Sequence, residues 1–518
     1  MMGYANTSQL GSGLRQRLYS RAFIVGSPSD TSERFVYMVL DTQSGDTAVR
    51  NGILEGLSAL GPEYSVYGKN NVAVTGTHSH SGPGAWLNYL LPQITSLGFD
   101  KHSYQAIVDG AVLSIQRAHQ GLSLGTLSVG SANIEDANIN RSLFAYLANP
   151  KEERDRYGDD VDKTMTLLKL TRTSDGKSLG VLNWFPVHGT SLLGNQTLIA
   201  GDNKGVAAYL FEQDAVAIED AADGFVAGFS QANVGDTTPN VLGAYCEDGS
   251  GTQCRFNDST CAGRSQDCHG RGPYFGLNDG GAKSCYEIGK RQFQGARGIY
   301  DDTAGFRSIS GKVRSFHTFV DFSNFTFTLK NGTTVHTCPA AMGNSFAAGT
   351  SDGPGAFDFV QNDPKKPTNP LWNTVGSAIA PPGPEQIACQ YPKPVLLNVG
   401  EANTPYPWSP NIVDIQVLRV GQLVIIVSPG EATTMSGRRW REAVHTEIEA
   451  SGIAKDPIVV LGGPANSYSH YITTEEEYSI QRYEGASTLH GPHTLSAYIN
   501  STLTYLLYLK DDAAHGLI

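Results

Sequence analysis

Asn71 to Gly84 reads NVAVTGTHSHSGPG: an apolar, β-branched run, two histidines spaced two apart, and a glycine–proline turn. The run predicts a buried strand, and the turn ends it. In extended backbone, residues two apart point the same way, roughly 7 Å from each other. His78 and His80 can then reach one point in space. That suits two metal ligands, or one ligand and one acid/base partner, and spacing alone favours two ligands. The bland alternative is a polar strand end with two solvated histidines.

Outward from this stretch the same grammar repeats. RFVYMVLD (Arg34 to Asp41) reads as a buried strand, and DTAVRNGILEGLSAL after it has helical spacing. After Asp100, a 3.6-residue period places Tyr104, Ile107, Val108, Ala111, Val112, Ile115 and Ala118 on one helical face. LGVLNWFPVHG (Leu179 to Gly189) is a strand ending in His188, and a helix follows with Asp202 near its start. GFVAGFSQANVGD (Gly224 to Asp236) is a strand running into a polar turn. GQLVIIVSPGEATTMSGRRW is a strand, a turn and a helix, and the pattern closes with PIVVLGGPANSYSHY and a helix-like run from Thr488 to Leu509. The predicted fold class is α/β: a twisted, largely parallel or mixed central sheet with flanking helices.

Two regions break the alternation. Residues 241–300 are rich in Gly, Cys and polar residues and read as a stapled insertion. Residues 306–345 alternate with period two around Asn331-Gly332, a hairpin signal. A Gly- and Pro-rich stretch runs from about Gly343 to Pro394. There is no internal repeat and no linker, so 1–518 is read as a single catalytic domain.

Composition limits the partners. The chain has 518 residues, 17% charged, with a net charge of −12, which is not the basic footprint of a nucleic-acid binder. The longest strongly apolar runs, such as Leu423 to Val427, are far short of a membrane span. MMGYANTSQLGSG has neither the basic start nor the apolar core of a signal peptide. Other features point outside the cell. Four of seven cysteines fall between Cys246 and Cys268 at spacings unlike a zinc knuckle, which favours a disulfide-stapled loop and an oxidising compartment. Asn-x-Ser/Thr sequons stand at Asn195, Asn257, Asn324, Asn331 and Asn500.

Functional groups in α/β sheets gather at the carboxyl ends of strands. Five predicted strand ends carry candidates here: His78 and His80; His188; Asn233 and Asp236; Glu431; and the tyrosine-rich turn after Leu461. Histidines plus one carboxylate form a common zinc inventory. Singly, each has a bland reading. Glu431 can sit on the positive end of its helix, and His188 can be a buried histidine bonded to backbone.

At this point the chain resembles the neutral (neutral/alkaline, non-lysosomal) ceramidases. The words that carry the resemblance are MMGYA, GTHSHSGPG, NINRS, NWFPVHGTS, SQANVGDTTPN, GNSFAAGTSDGPG, PGEATTMSGRR and YITTEEEYSIQRYEGASTLHGPHTLSAY, in family order along the whole chain. The resemblance implies a zinc amidohydrolase with its Zn2+ at the strand ends. It implies a ceramide substrate presented by membranes or micelles and cleaved at its N-acyl bond to sphingosine and a fatty acid. It implies zinc ligands His78, His188, Glu431 and Tyr471, with Tyr468 and Tyr478 as competitors for the last place. The catalytic partners it implies are His80, Arg141 and Tyr483, and Thr238 stands where many members carry serine. Zinc-bound water is then the expected nucleophile, His80 the proton carrier, and Tyr483 with Arg141 the oxyanion donors. The family pattern also implies Cys246–Cys261, Cys254–Cys268 and Cys338–Cys389 disulfides, with Cys285 free, and a secreted glycoprotein. The family's N-terminal strand and signal and its C-terminal immunoglobulin-like domain are expected to be missing. The alternatives are a zinc amidase acting on another N-acyl lipid, or a catalytically impaired lipid-binding homologue.

Overall fold

The computed structural model describes residues 1–361 and 379–513. The middle of the Gly- and Pro-rich stretch and the last five residues of the expected domain lie outside the described residues.

The opening stretch is strand Val72–Gly76, buried along its whole length. It pairs in parallel with Arg34–Leu40, which pairs antiparallel with Ser20–Gly26. Alternate residues face opposite ways. Val72 and Val74, with Val36, Met38 and Leu40, meet helices Thr47–Leu60 and Lys101–Gln120. The second helix delivers the seven residues its period marked out, all packed in this layer. Asp46 caps the first by accepting from the Ala48 and Val49 amides at 2.9 and 3.2 Å.

The opposite face of this three-stranded sheet, with Phe35, Tyr37 and Ala73, meets two other sheets in one shared core. One runs 221–230, 178–184, 164–172, 125–133 and 307–309 in spatial order. The other runs 313–321, 412–420, 423–427 and 458–462. Leu168, Leu182 and Trp184 of the first and Leu418, Leu423, Ile425 and Val460 of the second fill that core. Their outer faces are covered by helices Asp202–Asp214 and Ala282–Asp301, and by Thr434–Ala450 and Thr494–Tyr505, respectively. The architecture is therefore layered helix, sheet, sheet, helix.

Mixed α/β is the observed class, and of the expected largely parallel or mixed arrangement it is the mixed one that occurs, divided among three sheets rather than gathered in one. In these large sheets six strand pairs are antiparallel. Three are parallel, one in each sheet. Pairings such as 313–321 with 412–420 span about a hundred residues, and local periodicity carries no trace of them. The parallel pairs matter most, because each brings two carboxyl ends to the same edge.

The residues of the two expected insertions divide among several elements. Residues 244–246 and 268–270 form a small hairpin held by Cys246–Cys261 and Cys254–Cys268. From Ala282 onward the segment is a core helix burying Ile288, Ala296, Ile299 and Tyr300. Its glycines and polar outer face masked that role. Within 306–345, residues 313–321 belong to a large sheet, and only 326–328 with 334–336 make the hairpin around Asn331-Gly332. Cys338–Cys389 is bonded, and Cys285 is free and buried.

Candidate functional site

His78 follows Val72–Gly76, His188 follows Ser178–Trp184, and Glu431 and Tyr471 follow Leu423–Val427 and Ile458–Gly462. Each sheet thus sends a residue from its parallel pair to one point. Glu431 and Tyr471 also pair directly in a short parallel bridge. The geometry at His78 differs from the extended i, i+2 picture. Its φ is +65°, the left-handed region a non-glycine residue enters only when its surroundings enforce it. The His78 and Ser79 amides both donate to Thr42 O, at 3.0 and 3.3 Å, and the His80 amide donates to Gly189 O at 2.9 Å. The two rings still converge, with centroids 4.8 Å apart.

The tautomers can be read from the partners. His78 Nδ1 lies 2.7 Å from Gln43 O, and His188 Nδ1 lies 3.0 Å from Val234 O. A carbonyl only accepts, so each Nδ1 carries its hydrogen, and a ring in its neutral form then presents a bare lone pair at Nε2. Those two Nε2 atoms face each other at 3.0 Å. Glu431 Oε2 lies 3.2 and 3.4 Å from them and, although buried, receives no hydrogen bond. Three acceptors held together in a dry site repel one another unless a cation sits among them, and this nitrogen and oxygen set is one that zinc accepts. His80 Nε2 lies 3.3 Å from His78 Nε2, and the three histidines offer ligand atoms within 4.8 Å of one another. The backbone-bonded His188 of the bland reading is thus half of the picture: the backbone bond aims its other nitrogen.

Tyr471 Oη lies 3.5 Å from His188 Nε2. Tyr468 is also in the site, its hydroxyl donating to Glu431 Oε1 at 2.7 Å. Tyr478 is not, for its hydroxyl donates to Gln390. The Tyr483 ring meets the Tyr471 ring edge-on at 5.3 Å. The Arg141 side chain is buried and donates to Tyr471 Oη (3.0 Å), Gly235 O (2.9 Å), Glu484 Oε1 (3.2 Å) and Asp352 Oδ2 (3.0 Å). Thr238 is held by the same carboxylate, its hydroxyl donating to Asp352 Oδ1 at 2.6 Å. Asn233 and Asp236 support rather than face the site. Asn233 donates to Thr434 O, and Asp236 accepts from the Thr434 amide and hydroxyl at the start of the helix after Glu431.

Burial lowers the pKa of His80 and His188 well below the ordinary histidine range, aided by neighbouring positive groups, so both rings are neutral at pH 7. Burial and Glu431 push Tyr468 and Tyr471 well up.

Sequence reasoning missed several residues. Asp352 and Glu484, the two carboxylates on Arg141, drew no attention. Nor did Gly3 and Tyr4. Tyr4 packs edge-on against His80 with ring centroids 5.0 Å apart and donates to Leu192 O at 2.6 Å. Gly3, at φ +127°, lies so close that a Cβ there would come within 2.5 Å of His80 Cγ. All four lie inside the words MMGYA, TSDGPG and QRYEGAS. No spacing or charge pattern singles them out within those words.

Comparison with known proteins identifies the family. The family profile described as neutral/alkaline non-lysosomal ceramidase, N-terminal, matches residues 1–500. A neutral ceramidase of Oryza sativa subsp. japonica is 44% identical over an alignment covering 96% of this chain and 71% of that protein. Neutral ceramidase 1 of Arabidopsis thaliana is 42% identical, with the same coverage. Among solved structures, a ceramidase complexed with C2 superposes with a TM-score of 0.81 at 34% identity, over 100% of this chain and 74% of that one. Neutral ceramidase from Pseudomonas aeruginosa superposes with a TM-score of 0.79 at 33% identity, over 100% and 73%. The chain is an enzyme and belongs to the neutral/alkaline ceramidase family.

Proposed function

We propose that this chain hydrolyses the N-acyl bond of ceramide to sphingosine and a free fatty acid, with zinc held by His78, His188, Glu431 and Tyr471. The observation that carries the metal is the buried trio of facing acceptors, two imidazole Nε2 atoms and an unpartnered Glu431 oxygen. Zinc supplies a Lewis acid for the amide carbonyl and activates water at neutral pH.

The chain's own groups do the rest. His80 is buried and neutral, and its Nδ1 has no hydrogen-bond partner, which suits a group that accepts a proton and passes it to the leaving amine. Arg141 is fixed by two carboxylates, a carbonyl and Tyr471, and with Tyr483 it supplies donors for charge developing on the amide oxygen. Such donors are worth about 3 kcal/mol each in comparable sites. The Thr238 hydroxyl is committed to Asp352 rather than to any histidine, which favours a role in orienting water or substrate over a role as nucleophile. Three disulfides and sequons with exposed Asn195, Asn257, Asn324 and Asn331 support a secreted glycoprotein.

The test is turnover of ceramide by the purified chain, before and after chelation and after zinc is restored, with an N-acyl ethanolamine in parallel. His78→Ala and Glu431→Ala should each lose both zinc and turnover. A His78→Ala protein that keeps stoichiometric zinc and most of its rate rejects the ligand assignment.

A further inference from the structure

Immediately after His80 the chain runs from Ser81 to Phe99 without one charged residue, in a protein of net charge −12. Residues 85–100 form a compact surface loop whose ends meet: the Asp100 amide donates to Ala85 O at 2.6 Å. Two different sets of apolar residues populate it. The inner set, Trp86, Leu87 and Leu91, is buried. It is held down where the Leu90 and Leu91 amides donate to Pro407 O and Trp408 O, both at 3.1 Å. The outer set is Ile94, Leu97 and Phe99, exposed by 47, 64 and 48%. Leu97 and Gly98 make the tip at φ +64° and +118°, closed by the Gly98 amide on Gln93 O at 2.8 Å. Tyr406, itself 38% exposed, donates its hydroxyl to Gln93 and extends the patch.

The outer set lies outside the apolar cores, its one ring contact being Phe99 on Tyr104 at 5.8 Å among the described residues, and the fold holds these side chains exposed on a rigid support. Grouped exposed apolar residues on a rigid support mark a docking surface. Its occupant follows from composition and place. Leu, Ile, Phe and Tyr with no charge suit the boundary between headgroups and acyl chains, where amphipathic rings and aliphatic tips partition. The inner side of the same loop lines a cleft, with Leu87, Tyr89 and Pro92 on one side and Trp408 and Tyr468 on the other. Tyr468 bonds Glu431 at the site itself.

We propose that the outer face of loop 85–100 is the surface by which this chain docks on a zwitterionic lipid bilayer. The proposal rests on the reading of a membrane lipid as substrate. The net negative charge makes the attachment apolar rather than electrostatic.

The experiment is co-sedimentation of the full chain with phosphatidylcholine vesicles containing no ceramide. Beside it, turnover is measured on ceramide in vesicles and on a dissolved short-chain ceramide. The wild type should sediment, and equally well from about 0.1 to about 1 M salt, over which the screening length falls from roughly 10 to 3 Å. The Ile94→Ser, Leu97→Ser, Phe99→Ser triple variant should bind vesicles at least about tenfold more weakly. It should lose vesicle turnover by a similar factor and keep turnover of the dissolved substrate. Leu97→Trp should retain binding. A triple variant that sediments like wild type overturns the proposal. So does a wild type that stays in solution, or a triple variant whose only change is from dimer to monomer. A wild type that sediments but cleaves neither ceramide leaves the docking surface standing and rejects the substrate reading. One that cleaves ceramide without sedimenting does the reverse.

Discussion

Replacing Asp352 by asparagine tests whether Thr238 and Arg141 act as one unit. The native carboxylate accepts four hydrogen bonds. Oδ1 takes Thr238 Oγ1 at 2.6 Å and Asn240 Nδ2 at 2.8 Å, and Oδ2 takes Arg141 Nη1 at 3.0 Å and Thr190 Oγ1 at 3.2 Å. An amide keeps the shape but turns one oxygen into a donor. Facing that donor toward Arg141 sets N–H against N–H, so the amide oxygen should stay with Arg141 and the NH2 should turn to Thr238. The Asn240 side chain then loses its acceptor, at about 1–3 kcal/mol for a buried group, and the Arg141 bond loses its anionic partner, at about 1 kcal/mol. The Thr238 hydroxyl must reverse from donor to acceptor. We expect about 3 kcal/mol of lost stability in urea unfolding. We also expect kcat/KM to fall roughly thirtyfold, about 2 kcal/mol in barrier. The decisive measurement is the double-mutant cycle with Thr238→Val, read in kcat/KM on a dissolved short-chain ceramide. Groups sharing a carboxylate should show a coupling of about 1–2 kcal/mol, whereas independent groups add to within about 0.5 kcal/mol. Additive effects would refute the shared-carboxylate reasoning.

Thr238→Ser should leave the rate within about tenfold, about 1.4 kcal/mol, and Thr238→Ala should slow the reaction without abolishing it. A covalent adduct on Thr238 in quenched reactions, detected by mass spectrometry, would show it to be the nucleophile. Burial, with a smaller push from Lys393, lowers the pKa of His490 to about 4. The fold holds it neutral, while the unfolded chain protonates near 6.5. Its contribution to stability is therefore whole above about pH 6.5 and is lost as pH falls toward 4, by about 3 kcal/mol. His490→Gln should flatten the wild-type slope in that window by this amount, as read from urea midpoints at successive pH values; an unchanged slope rejects the shift. Removing Cys338–Cys389 by paired alanines, which opens a loop with a sequence separation of 51, should cost about 4 kcal/mol in the chain-entropy treatment. Either short-loop bond should cost about 3 kcal/mol, and Cys285 should stay unmodified by thiol reagents until the protein unfolds.

Much of this candidate site was legible in the sequence because its residues close strands. Apolar runs ending in His78, His188 and Glu431 carry both the element and the chemistry in one local pattern, as helix 101–120 carries its buried face in its period. What local patterns cannot carry is which strand lies beside which, so the three-sheet layering stayed hidden. Helix 282–301 was lost in a polar segment because burial on one face leaves composition ambiguous. Asp352 sits in a turn-rich stretch where every carboxylate looks solvated. Its importance comes from partners at 141, 190, 238 and 240, none of them near it in the chain. The His78 and His80 rings converge as expected, but through a left-handed His78 rather than extended backbone, and a left-handed residue leaves no mark that distinguishes it from strand.

Tyr4 leans on His80, while Tyr471 and Glu484 reach the same few ångströms from a distant part of the sequence. The centre is thus closed by groups more than four hundred residues apart in the sequence. Loop closure over such a span carries an entropy cost that local elements do not. A fragment that stops before Glu431 holds the three histidines without the carboxylate and tyrosines that face them, so the arrangement forms only when both ends of this span are folded together.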